Sequence, residues 1–321
     1  TFSYVIADLA GATASTTVAI TVTGVNDAPV AVADTASGTE NQALLIDVLA
    51  NDTDVDDGHV FTLVSVDGVT GGGAASIQDN QLAFDPGTTF DHLAAGATAS
   101  VTVAYTMTDE HGATSSATVA ITVTGTNDGP VAAADTAAGT ENQALLIDAL
   151  ANDTDADDGH SFTLVSVDGV TGGGAASIQD NQLAFTPGAA FDHLADGATA
   201  SVTVAYTMAD EHGATSSATV AITVTGINDA PVAVADSASG TENQALLIDV
   251  LANDTDVDDG HAFTLVSVDG VAGGGAASIQ DNQLAFTPGA AFDHLAAGET
   301  ASVTVAYTMA DEHGATSSAT V

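Results

Sequence analysis

The stretch GTENQALLID occurs three times, placing Glu40, Glu141 and Glu242 at a constant spacing of 101 residues. Asn26, Asn127 and Asn228 repeat at the same interval, so nearly the whole 321-residue chain is one unit copied in tandem. A unit of about 100 residues can bury a core of its own, whereas a solenoid repeat is shorter and leans on its neighbours. It matches the size of an immunoglobulin-type sandwich. The expected divisions are residues 1–25, supplying the final two strands of a copy; 26–126 and 127–227, two full copies; and 228–321, a third copy with its last strand cut short. An excerpt from a longer array accounts for these ends better than strand exchange between chains, because the stretch missing at one end is not the stretch left over at the other.

Within a copy the periodicity is that of strands. Val101, Val103, Tyr105 and Met107 alternate with Thr102, Ala104 and Thr106, and Val119, Ile121 and Val123 alternate with Ala120, Thr122 and Thr124; such alternation predicts half-buried strands. ALLIDVLA suits a more buried strand with Asp47 facing outward, FTLVSV, SIQ and QLAF add shorter ones, and VTGGGAAS reads as a loop. No window predicts a helix of several turns. The expected fold class is therefore all-β: tandem Greek-key β-sandwich modules with about seven strands each.

Charge narrows the partners. The chain carries 43 Asp and Glu, no Lys or Arg, and a formal net charge of −43. Nucleic acid and anionic membrane surfaces are recognised through Lys and Arg, so neither is an expected partner. No apolar run approaches the ~18 residues of a membrane-spanning helix, and no signal-like segment opens the sequence. With no Cys there are no disulfides and no thiolate metal sites. No internal Lys or Arg can balance the acids, so the neutralising charge has to come from outside.

The acids are clustered between strands, as in ANDTDADDG at 151–159, FDHL at 191–194 and ADEHG at 209–213. In a sandwich those segments collect at the two ends, where modules meet. Oxygen-only donors without Cys suit a hard divalent ion, and Ca²⁺ accepts the irregular sets that loops provide. An EF-hand does not fit: the glycine falls one residue late, and the twelfth position from Asp153 is Leu164 rather than Glu. The GGG stretch likewise lacks the aspartate of a glycine-rich Ca²⁺ repeat. The ligands are expected to come from several loops.

The order of these motifs resembles a cadherin-like repeat, in the form of the VCBS-type or tandem-95-type repeats of giant bacterial surface adhesins. The family's strand-A glutamate is similar to Glu40, Glu141 and Glu242; its DxD pair to Asp52 and Asp54, Asp153 and Asp155, Asp254 and Asp256. The aspartate of its DRE motif is similar to Asp91, Asp192 and Asp293, and the one after the following strand to Asp109, Asp210 and Asp311. Its DxNDN linker is similar to Asn26-Asp27, Asn127-Asp128 and Asn228-Asp229. The resemblance implies Ca²⁺ at each junction, with Glu40, Asp91 and Asp109 from one module, Asn127 and Asp128 from the linker, and Asp153, Asp155 and Asp210 from the next. Gly125, Gly129 and Leu93 stand where the family has ligands, which implies one or two ions per junction rather than three.

The function expected from these readings is a calcium-rigidified, non-catalytic extracellular spacer on a cell surface, with calcium ions and neighbouring modules as partners. The alternative is a self-assembling filament or surface layer, in which identical chains join by strand donation or lateral contact. Catalysis finds little support: there is no G-x-S-x-G elbow, and a phosphate cradle would want a Lys or Arg. The histidines read as polar loop residues, since no His-x-x-x-His spacing occurs. Isolated Asp67 and Asp79 read as ordinary turn residues, and the N-x-T matches beginning at Asn51 and its copies are taken as accidental.

Overall fold

The computed structural model describes residues 1–321 and divides them into two compact units: Thr1–Asp128 with Ala156–Gly159, and Gly129–Asp155 with His160–Val321. The first opens with a two-stranded antiparallel hairpin, β1 (Phe2–Ala7) and β2 (Thr13–Val18), followed by β3 (Asp34–Thr39), β4 (Leu44–Ile46), β5 (Thr62–Thr70), β6 (Ala74–Gln78), β7 (Gln81–Asp85), β8 (Thr98–Thr108) and β9 (Thr114–Thr124). The second holds β10 (Asp135–Thr140), β11 (Leu145–Ile147), β12 (Thr163–Thr171), β13 (Ala175–Gln179), β14 (Gln182–Thr186), β15 (Thr199–Ala209) and β16 (Thr215–Thr225). It continues with β17 (Leu246–Ile248), β18 (Thr264–Ala272), β19 (Ala276–Gln280), β20 (Gln283–Thr287), β21 (Thr304–Ala310) and β22 (Thr316–Thr320). The only helical segments are one-turn 3-10 pieces such as Gly188–Ala190.

The fold is the expected one: all-β tandem sandwiches. In the second copy a four-stranded sheet ordered β10-β16-β15-β12 faces a three-stranded sheet ordered β11-β14-β13, and the first copy repeats the pattern. β10 runs parallel to β16, from Asp135 opposite Val220 to Thr140 opposite Thr225, while the other pairs are antiparallel. This parallel return sets the start of the copy against its last strand. In the third copy residues 236–241 form no strand, and Asp236 N–H bonds Thr320 O at 3.0 Å.

The alternation seen in the sequence becomes the core. Val101, Val103, Tyr105, Met107, Val119, Ile121 and Val123 are all buried, and each copy gathers its own cluster around residues such as Phe84 and Phe90, Phe185 and Phe191, or Leu284 and Tyr307. Two lengths differ from expectation. β4 is only three residues, because the chain turns after Ile46 to bury Val48. β5 runs on to Thr70, past register shifts against β8 that let the DGVT segment stay paired. Asp79 and Asn80 are indeed a turn, both with positive φ as a two-residue hairpin requires; Asn80 Oδ1 also accepts the Leu63 N–H at 2.8 Å.

Because the apolar clusters are separate, Phe84→Ala should cost about 3–5 kcal/mol in the first copy's core and leave the melting transition of the third copy in place. Differential scanning calorimetry of the variant checks both.

Candidate metal centre

The second and third copies meet within one compact unit. Glu141 follows β10, and its main-chain N–H donates to Thr225 O at the far end of β16. That pairing turns the side chain onto the linker, where Oε1 accepts the Ile227 N–H at 3.0 Å. Glu141 is only 2% exposed, and its other oxygen, Oε2, is buried without a hydrogen-bond donor. Next along the linker, Asn228 Nδ2 donates to Asp229 O at 2.8 Å and to Asp311 Oδ2 at 3.0 Å. The Asp229 N–H donates to Asp258 Oδ2 at 2.9 Å, and Asp258 Oδ1 is likewise buried and undonated. The Asp258 N–H in turn donates to Asp256 Oδ1. A main-chain bond from Asp259 N–H to His193 O, 2.9 Å, fastens the acidic loop of the third copy to the FDHL loop of the second.

The electrostatics record the crowding. Burial pushes Glu141 above the ordinary carboxylate range, and the charges of Asp229, Asp258 and Asp192 push the same way, against the Ile227 N–H. Asp229 is raised by burial first, then by Asp258, Asp192 and Asp256. Glu141, Asp192, Asp229, Asp256 and Asp258 therefore form one mutually repelling group. The first unit has the same parts. Glu40 Oε1 accepts Thr126 N–H and Oγ1 at 2.7 and 2.9 Å, Asp27 N–H donates to Asp56 Oδ2, Asp128 N–H donates to Asp157 Oδ2, and Asp158 N–H donates to His92 O. As the side chains stand, no three Asp, Glu or His groups are gathered tightly enough to hold an ion.

The expected residues thus separate into groups. Glu141, Asp192, Asn228, Asp229 and Asp256 come together, as do Glu40, Asn127 and Asp128 with their own linker contacts. Asp52, Asp153 and Asp254 lie elsewhere: their Oδ1 atoms accept the N–H of Val32, Ala133 and Val234 at 2.7 Å and face the hydroxyls of Tyr105, Tyr206 and Tyr307 inside the sandwich. Asp109 also departs from its expected place beside Glu40. It caps the turn after β8 and accepts a 2.8 Å bond from Asn26, at the start of its own copy; Glu40 sits at the other end of β9, roughly 35 Å away along an 11-residue strand. Asp311 likewise joins Asn228, and Asp210 occupies the corresponding turn after β15. Asp54 accepts the Asp56 N–H, and Asp91 and Asp155 are part-buried. Glu242 meets Asn243, and Asp293 is exposed. The residues the sequence reading missed are Asp56, Asp157 and Asp258. DTDVDDG holds two overlapping D-x-D pairs, and choosing the second requires knowing that the bridge between Val232 and Thr255 fixes Asp254 inward.

Glycine where the family linker has Asp has a steric cause. A Cβ at Gly226 would stand 2.2 Å from Leu194 O and 2.5 Å from Ala195 O. The loop packs this closely because Gly226 bonds it at both ends, N–H to Ala198 O and O to Gly197 N–H.

A sandwich of this topology, repeated with acids gathered at its linkers, is a cadherin-type module. The profile of the bacterial cadherin-like domain matches residues 26–125 and 127–226, and the chain belongs to that family. Residues 228–321 match the profile of the bacterial Ig domain, so one repeat sequence falls into two sandwich families. Among solved structures the chain is similar to repeats EC21–23 of human CDH23 (13% identity, 90% of this chain and 97% of that one, TM-score 0.48). It is also similar to repeats EC22–24 of mouse cadherin-23 (16%, 90% and 93%, 0.47) and EC1–4 of Drosophila N-cadherin (15%, 91% and 73%, 0.40). A comparison with curated proteins finds no match. No helix is long and apolar enough to cross a membrane.

Three outcomes follow. Glu141→Ala strands the Ile227 N–H and should cost about 1–3 kcal/mol by urea denaturation. Gly226→Asp, although it restores the family's linker acid, should destabilise the protein, read as a lower melting temperature. The raised Glu141 and Asp229 make the folded state bind protons more readily than the unfolded chain. In chelator, stability should therefore grow as pH falls from neutrality toward the ordinary carboxylate range and be lost as pH rises again through their folded values, measured by thermal melts across that span.

Proposed function

We propose that the chain is a calcium-stiffened, non-catalytic stretch of an extracellular surface adhesin, whose modules act as a spacer. The supporting observation is a pair of buried carboxylate oxygens without donors, Glu141 Oε2 from one copy and Asp258 Oδ1 from the next, on residues whose charges act on one another beside the linker Asn228-Asp229. Buried carboxylates are costly unless paired, and the chain has no Lys or Arg with which to pair them. The donor set is all oxygen, which fits Ca²⁺. Glu141 and Asp192 from the second copy, Asn228 and Asp229 from the linker, and Asp256 and Asp258 from the third would hold it. The ion would supply the positive charge that lets these acids approach; the linker hydrogen bonds would set which groups face it.

Cadherin-like domains are generally calcium-binding and typically extracellular, and nothing in the chain indicates catalysis. Extracellular modules of this kind bind with dissociation constants of about 10⁻⁴–10⁻³ M, so an external fluid at millimolar calcium would keep the spacer stiff and a cytosol would not.

Small-angle scattering in millimolar calcium and in chelator, at matched ionic strength, tests the proposal. The expected result is a longer, narrower distance distribution with calcium and a broader, shorter one without. Superimposable distributions would reject it.

A further inference from the structure

In the first two copies the stretch AITVTG, at 120–125 and 221–226, ends the last strand and lies inside the larger sheet, where Ile121, Val123, Ile222 and Val224 are each 1% exposed. In the first copy Ala120–Thr124 pairs in parallel with Thr35–Thr39 on one side and antiparallel with Thr98–Thr102 on the other. The third copy carries a groove at this place, a cavity of about 690 Å³ whose apolar lining includes Leu246, Ile248, Phe286, Phe292, Val303 and Val305. Both banks of the groove are unpaired: residues 236–241 and 300–303 form no strand. The bond from Asp236 N–H to Thr320 O stands where the parallel pairing of the other copies begins. Unpaired backbone along two facing edges is a template for one more strand.

A strand of the same sequence stands exposed in the first unit. β1 and β2 pair only with each other, up to Val18. The next six residues, Ala19–Gly24, read AITVTG and belong to no strand, with Ile20 64% and Val22 87% exposed. Two details tie this stretch to the groove. A Cβ at Gly125 or Gly226 would stand 2.2 Å from the carbonyl oxygen of Leu93 or Leu194, whereas one at Gly24 would meet nothing within 4 Å. Glycine has no steric cause at position 24 in this structure, and it would gain one beside Leu295, the third copy's counterpart of Leu194. Glu40 and Glu141 each accept the N–H of the residue after that glycine, Thr126 and Ile227. Glu242 lacks such a donor: its Oε2 is buried without a partner, and its Oε1 meets Asn243 Nδ2 at 3.4 Å.

We propose that the groove of the third copy takes Ala19–Gly24 of a second copy of this chain, laid between residues 236–241 and 300–303 as an added strand. Ile20 and Val22 would enter the cavity as Ile222 and Val224 do in the second copy, and the Val25 N–H would serve Glu242. In strand addition of this kind backbone bonds supply affinity and alternate side chains supply selection. Donor and acceptor are different surfaces, so the contact runs head to tail and repeats into a filament. On sequence alone strand exchange is disfavoured, since residues 1–25 offer two strands where one would be taken. The pairing of β1 with β2 removes that mismatch and leaves a single strand to give.

Sedimentation velocity of the full chain over a range of concentrations, in calcium and in chelator, tests the proposal. Oligomers that lengthen with concentration in either condition are the expected result; monomer at every concentration in both would overturn it. I20D/V22D and G24A change exposed, uncrowded positions, so each should keep the melting profile of the unaltered chain and sediment as monomer. Oligomers of undiminished length in both variants would overturn the assignment of the donor strand. A synthetic peptide of residues 19–27, AITVTGVND, should bind the I20D/V22D monomer and shorten the oligomers of the unaltered chain; a peptide that does neither would overturn the assignment of the groove. Assembly and stiffness are read separately. Scattering of the I20D/V22D monomer with and without calcium tests the spacer reading alone, and sedimentation tests strand addition alone.

Discussion

The chain folds with carboxylates that it cannot neutralise. With 43 acids and no Lys or Arg, no Lys or Arg salt bridge can form, and like charges inside a Debye length of about 8 Å repel. The fold responds by segregation. Sheet faces are built from Val, Ile, Tyr and Met inside and Thr, Ser and Ala outside, while most of the acids stand in turns and linkers. Among the buried acids that remain, Glu141 and Asp258 are each held by a main-chain N–H donor on one oxygen and have no hydrogen-bond partner on the other.

Main-chain donors do much of the positioning. Ile227 N–H fixes Glu141, Asp229 N–H fixes Asp258, and Asp259 N–H reaches His193 O. The first two tie the linker backbone to a carboxylate of a neighbouring copy and the third joins a loop of one copy to a loop of the next, so main-chain donors set much of the arrangement. The parallel pairing of β10 with β16 completes the logic, since it delivers Glu141 to the same end of the sandwich from which the linker departs.

Much of this was legible in the sequence. The 101-residue period gave the number of copies, and the alternation in β8 and β9 identified the core faces because burial on one side of a strand leaves a two-residue trace. Glu40, Asn127 and Asp128 were legible as a group because they flank strand ends. Other features depend on tertiary pairing and leave no such trace. Nothing local distinguishes Asp254 from Asp258; the difference is made by Tyr307 and Val234, which lie 53 and 20 residues away in the chain. Asp109 was placed at the wrong end because a hairpin turn and a strand end look alike in composition. Gly125 looked like a lost ligand and is instead a position where a side chain would collide with the Leu93 carbonyl.

Specific ion binding and simple charge screening give different signatures. The most direct measurement is calorimetric melting of the full chain in chelator, then in millimolar CaCl₂, with NaCl added to equalise ionic strength. Site occupancy predicts a melting temperature that rises with the logarithm of calcium concentration well beyond the sodium control. Identical melting in the two salts would contradict it.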